Sequence, residues 1–138
     1  MMDTSNMIFV FGSNLAGVHG AGAARFALDK KGAILGQAFG MQGDSFAIPT
    51  KDKTIRHTLP LDEIKVYVNR FIDFARTQTD RRHAPLIYQV TCIGCGLAGL
   101  KHEDIAPMFR MGTKNVIFDD LWKPWLEDYG FKFWGTFG

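Results

Sequence analysis

The sequence predicts an α/β domain of three layers, and three observations predict it. Short apolar runs recur along the chain, separated by helix-length stretches. Two of them, 7–11 (MIFVF) and 86–91 (LIYQVT), open directly into glycine-rich loops. Between those two lies one long stretch of helical periodicity. Strands alternating with helices build a sheet covered on both faces. Ligands of such folds bind beyond the carboxyl ends of the strands.

The elements follow in order. The run 7–11 is continuous, β-branched and aromatic, as a buried strand is. Residues 12–20 form the first loop, and a helix over 21–31 offers Ala24, Phe26, Ala27 and Leu28 to the sheet. Gly32 is its stop signal. Fixing Gly12, Gly17, Gly20 and Gly22 costs more backbone entropy than fixing any other residue type. Their presence between strand and helix points to close approach of backbone to a ligand and to φ > 0 where the turn requires it, or else only to close packing of helix on sheet. Residues 36–44 are turn-rich, and 45–49 (SFAIP) make a second short strand ended by Pro49. Residues 50–58 read as a polar loop. Apolar residues at 61, 64, 68, 71, 72 and 75 then mark a helix to about Arg76. The third strand, 86–91, leads into the second glycine loop, 92–100 (CIGCGLAGL). A short helix over 102–109 carries Glu103 and Asp104 in its first turn, where negative charge is favoured. The fourth strand is 115–118, a terminal helix is interrupted or initiated at Pro124, and the alternating aromatic tail 131–138 suits an edge strand.

At 138 residues the chain has the length of one domain, 1–138. It can bury roughly two-thirds of its unfolded surface without a staple. A net charge of +2 suits a small anionic ligand and is too weak to argue for a nucleic-acid groove. No run approaches the ~20 apolar residues of a membrane span, and MMDTSN lacks the basic start of a secretory signal. The expectation is a cytoplasmic protein with no membrane partner.

Candidate chemistry gathers at the two loops. The helix opening at Gly20, Ala21 and Gly22 aims unpaired N–H groups at whatever lies above it, an end that favours phosphate or carboxylate. Gly94, Gly96 and Gly99, with Cys95, Leu97 and Ala98 between them, can form an anion-binding nest. No Gly-Lys-Ser/Thr follows the first loop, and the third dinucleotide-fingerprint glycine falls on Arg25. Both loops follow strands, so both can face one crevice. Cys92 and Cys95 also admit a thioredoxin-like dithiol or half a zinc site, but small side chains that fit where bulk will not are the preferred reading; no metal is assigned. Asn14 is a turn former or a ligand contact. His19 is a ribose or phosphate contact or a solvent-exposed loop residue. Lys51 is a solvated charge unless its strand ends in the crevice, where it contacts phosphate or acts as a nucleophile. Trp122, Trp125, Phe118 and the tail aromatics pack the core or mediate self-association, with base stacking the alternative.

Together, NLAGVHGAGAARFA, GDSFAIPTKD and QVTCIGCGLAGLKHEDIAPMF resemble the macro domain over residues 8–118. They are most similar to the branch containing terminal ADP-ribose protein glycohydrolase and its relatives in bacteria and their viruses. The resemblance implies a three-layer α/β/α fold with a mixed sheet and a cleft that binds ADP-ribose or a related NAD-derived small molecule, with no cofactor. Gly20 to Gly22 would lie beside the distal ribose and phosphate, and Gly94 to Gly99 would cradle the diphosphate. In hydrolytic relatives a lysine, here Lys51, works with an aspartate of the second loop on the ribosyl linkage of an ADP-ribosylated macromolecule. That aspartate position is Ala98, leaving Asp52 or His102 as substitutes. The adenine-gripping aspartate of many relatives falls to Asp3. Hydrolysis, a non-catalytic reader or sequestering role, and a structural or interaction domain without nucleotide all stay open.

Overall fold

The computed structural model describes residues 2–80 and 82–137; Gly138 of the aromatic tail lies outside them. Its centre is a six-stranded mixed sheet in the order β2-β3-β1-β4-β5-β6. The strands are β1 (Ile8–Asn14), β2 (Gly40–Gln42), β3 (Ser45–Lys51), β4 (Tyr88–Val90), β5 (Val116–Asp119) and β6 (Phe133–Gly135). Every neighbouring pair is parallel except β2 with β3. The strands read as unbroken apolar runs because helices cover both faces.

Alternation along β1 sorts its side chains between those faces. Ile8 and Val10 join the larger core with Phe46, Ile48, Tyr88, Val90, Val116 and Phe118. Helix α2 (Leu61–Thr77) closes that core with Ile64, Val68, Phe71, Ile72 and Ala75, the periodic positions of its sequence. Phe9 and Phe11 point the other way, onto α1 (Gly22–Lys30). Three layers result. The α1 face is lined by Ala23, Ala24 and Ala27, so the helix approaches the sheet closely and its first turn stands directly over the strand ends. Phe26, expected on that inner face, instead leans over Phe9 from the rim at 4.9 Å between ring centroids.

The helix expected over 102–109 is α-helical only over α3 (His102–Ile105) and tightens to a 3-10 turn over Ala106–Phe109, with Pro107 at its start. The terminal helix is one α turn, α4 (Lys123–Leu126), between 3-10 turns. Strand boundaries differ from the sequence reading: the third strand shortens from 86–91 to Tyr88–Val90, and the fourth shifts from 115–118 to Val116–Asp119. β1 runs on to Asn14 and β3 runs through Pro49 to Lys51. Proline is tolerated there because β2 pairs only with Ser45 to Ala47, leaving Pro49 beyond its end. β2 itself was hidden in the turn-rich stretch: Gly40–Gln42 returns to β3 through Gly43 and Asp44. No described helix is long and apolar enough to cross a membrane.

Candidate functional site

A cleft of about 630 Å³ opens at the carboxyl ends of the parallel strands, within the ~300–1,000 Å³ usual for small-molecule sites. Gly12, Ser13 and Asn14 of β1, Thr50 and Lys51 of β3, the Thr91–Ile93 stretch after β4, and Asp119 of β5 form its floor. Long-range bonds lock these ends together. The Thr50 hydroxyl donates to Ser13 O at 3.3 Å and the Thr91 hydroxyl to Val10 O at 2.7 Å.

Both glycine loops reach this cleft. Gly20, Ala21 and Gly22 line it from one side, and Gly94, Cys95, Gly96, Leu97 and Ala98 from the other. Backbone accounting shows what they present. Arg25 N is the first amide of α1 to find a helical acceptor, on Ala21 O at 3.2 Å, and no side chain caps the helix. Among the described residues the amides of Gly22, Ala23 and Ala24 have no acceptor, as expected of a helix start. In the second loop Gly99 N bonds Gly96 O and Leu100 N bonds Gly94 O. Those two bonds curl the loop and leave the successive amides of Gly96, Leu97 and Ala98 without acceptors among the described residues. Two sets of free donors therefore border one hollow.

The glycines divide by what a side chain would meet. At Gly17, with φ +69°, a Cβ would strike the backbone of Gly36 and lie 2.6 Å from Gln37 N. That glycine is required by the fold. Gly20 and Gly96 are different: neither has a positive φ, a Cβ on Gly20 meets only Val18 Cγ1 at 3.9 Å, and one on Gly96 meets nothing within 4 Å. Neither packing nor backbone conformation asks for glycine there. A methyl group at either place would stand in open space at the lining of the cleft.

Of three further expected ligand contacts, His19 and Gly99 lie off the cleft and Asn14 borders it. His19 is fully buried behind the first loop. Its Nε2 faces Ile34 O at 3.0 Å and Gln42 Oε1 at 3.1 Å, and its Nδ1 faces Ser13 Oγ at 3.3 Å. Two acceptors at Nε2 place the proton there, and the ring edge packs on Phe11. His19 thus braces the loop from behind; its partners at 34 and 42 are far along the sequence, where loop composition gives no sign of them. Asn14 borders the cleft, but its amide clamps Val18, donating to Val18 O at 2.7 Å and accepting from Val18 N at 3.1 Å. Gly99 does not line the cleft.

Lys51 lies in the cleft and forms no ion pair among the described residues. Neither substitute acid completes a catalytic pair with it. Asp52 does not line the cleft. Its carboxylate accepts from the Thr54 hydroxyl at 2.6 Å and from Thr54 N at 3.0 Å, and the Thr54 hydroxyl holds it below the usual carboxylate range. His102 lines the cleft, but its Nδ1 accepts from Trp122 Nε1 at 2.9 Å, so Nε2 carries the ring proton and is a donor. Asp3 accepts from Ser5 in a local turn and is not at the cleft.

Sequence reasoning missed the far end of the site. Asp119 is 1% exposed and is the one carboxylate among the lining residues. It accepts from Leu121 N at 2.9 Å, from the Thr136 hydroxyl at 3.2 Å and from Phe137 N at 3.1 Å. This clamp seats Phe137 at the cleft, against Phe9 and Phe26. An acid closing a strand, followed by an aromatic tail, was the available signal. Burial drives both thiols up, Cys95 to about 11, and Cys92 beyond that with Asp119 and Cys95 adding to the effect. Protonated thiols do not suit dithiol chemistry, and no described cluster of His, Cys, Asp or Glu has the makings of a metal site.

Beside Lys51 stands a tight hairpin. Asp52 N bonds His57 O at 2.9 Å, Ile55 N bonds Asp52 O at 3.1 Å, and the Thr58 hydroxyl ties the hairpin to the second glycine loop through Ala98 O at 2.8 Å. At its tip Ile55 has φ +65°, a conformation that costs a side chain with a Cβ about 1–2 kcal/mol and is a genuine outlier for a β-branched residue. Its side chain reaches the cleft. No protein-family model matches the chain, and neither does any curated protein or solved structure.

Proposed function

We propose that this cleft binds ADP-ribose or a related NAD-derived nucleotide, its diphosphate held between the free amides of the α1 start and those of the second glycine loop. One observation carries the reading: Gly20 and Gly96 keep space empty beside unpartnered amides where the fold itself has no use for a glycine. The helix start adds a partial positive charge at the same place. The end bounded by Phe137 and Leu121 suits the base, and the end bounded by Lys51 suits the distal ribose. The sequence resemblance to macro domains points the same way.

A thermal-shift panel of ADP-ribose, NAD, ADP and cyclic ADP-ribose isomers tests this. A ligand at 100 times its dissociation constant stabilises by ~2.7 kcal/mol, which raises Tm by roughly 5–10 °C for a chain of this size. No shift with any of the four would end the nucleotide reading.

A second reading, hydrolysis, is favoured by Lys51 alone, the unpaired cation of the cleft. With Ala98 in the second loop and Asp52 turned away, the expected outcome is slow release of ADP-ribose from a modified carboxylate. Lys51→Ala should abolish it, while Ala98→Asp should raise it by the ~10²–10⁴-fold of a general acid–base group. Release that survives Lys51→Ala refutes that role for the lysine, whereas no release from wild type over hours leaves a binder without turnover.

A further inference from the structure

Three of the side chains around the Lys51 end of the cleft are aliphatic and exposed: Val18 at 45%, Ile55 at 38% and Leu97 at 76%. They come from three separate loops, yet all line the same mouth. A free nucleotide held by its diphosphate gains little from exposed aliphatic side chains at the mouth of the cleft. The Ile55 hairpin also carries Lys53 and Arg56, both exposed and neither ion-paired among the described residues. The hairpin's own acid, Asp52, is engaged by Thr54. Aliphatic seats beside unpaired cations match a polypeptide with acidic side chains. A nucleic acid strand would call for aromatic platforms on which bases stack, and this rim is aliphatic.

We propose that the Asp52–His57 hairpin, with Leu97 and Val18, is a docking surface for an acidic polypeptide segment whose attached nucleotide enters the cleft. The proposal rests on the nucleotide reading given above. Ile55 and Leu97 seat the backbone and aliphatic parts of the segment, and Lys53 and Arg56 pair with carboxylates flanking the modified residue. Because Lys53 and Arg56 lie outside the cleft lining, they act on the carrier and leave the nucleotide's own contacts alone.

The test compares three peptides that carry one ADP-ribosyl group, flanked by acidic, neutral or basic residues, with free ADP-ribose, by calorimetry on the full chain. Wild type should bind the acidic peptide about five-fold more tightly than the neutral one, the scale of two exposed ion pairs, and the gain should fade at high salt. K53E/R56E should reverse the order toward the basic peptide while holding free ADP-ribose within about two-fold of wild type. A circular-dichroism melt shows that this surface variant is folded. Equal affinity for all three peptides overturns the docking surface with the cleft reading intact. Tighter binding of an ADP-ribosylated oligonucleotide than of the acidic peptide overturns it in favour of a nucleic-acid carrier. If free ADP-ribose does not bind wild type, the cleft reading falls and the docking surface with it.

Discussion

Replacing Gly20 and Gly96 together by alanine is expected to weaken ADP-ribose binding about 100-fold, the equivalent of ~2.7 kcal/mol, and to leave stability to unfolding unchanged. The two halves of that result have separate causes. Each added methyl has room, since one meets Val18 Cγ1 no closer than 3.9 Å and the other meets nothing within 4 Å. Each replaced glycine also frees less backbone entropy on unfolding, so the folded state loses nothing and stands to gain slightly. In the complex the same methyls stand against the anion and push it off the amides of residues 22–24 and 96–98, where charge-assisted bonds are worth ~1.5–3 kcal/mol each. Calorimetry with ADP-ribose and a parallel urea titration measure the two halves. Unchanged affinity would mean that the anion sits elsewhere. A large loss of stability would mean that these glycines serve the fold after all.

Gly17→Ala should give the opposite pattern, a loss of about 4 kcal/mol in stability. The left-handed φ costs ~1–2 kcal/mol for any residue with a Cβ. The rest comes from backbone meeting backbone: the methyl would lie 2.6 Å from Gln37 N and 2.8 Å from Gly36 Cα. Relief requires the two segments to part, which breaks the 2.9 Å bond from Gly36 N to Gly17 O. Tm should fall by roughly 10–15 °C, read by calorimetric melting. A shift under about 2 °C would show that the first loop yields freely, and its amides could not then be called pre-aimed.

Why the two glycine positions differ could not be read from the chain. Sequence marks all of them as permissive, and only the packing of residues 36 and 37 against residue 17 tells a structural glycine from one that leaves room. What was legible had a periodic or strand-bounded signature. The α2 stripe was legible at 64, 68, 71, 72 and 75 because a helix buries one face at fixed spacing, whereas Leu61, also expected in the stripe, is exposed in the first turn. The two loops appeared because each follows a strand that ends on the same side of a parallel sheet. The illegible parts depend on partners distant in the chain. His19 looks like a loop residue until Gln42 and Ile34 surround it. Gly40–Gln42 looks like a turn until β3 pairs with it. Asp119 looks like an ordinary acid after a strand until the tail folds back to it. Ile55 gave no warning of its backbone conformation, because that follows from the hairpin's closure and isoleucine has no preference for it.

The hydroxyl of Thr91 reaches a carbonyl 81 positions earlier in the chain, and that of Thr58 one 40 positions later. A hollow stitched by such ties has no local precursor: no fragment of the chain can hold its rim in place, and the parallel ladder forms late because distant segments must first meet. Affinity for a nucleotide would therefore be absent from any half-assembled chain and arrive whole. A bound ligand would accordingly shift the global unfolding equilibrium, slowing turnover of the protein in the cell along with any local opening of its loops.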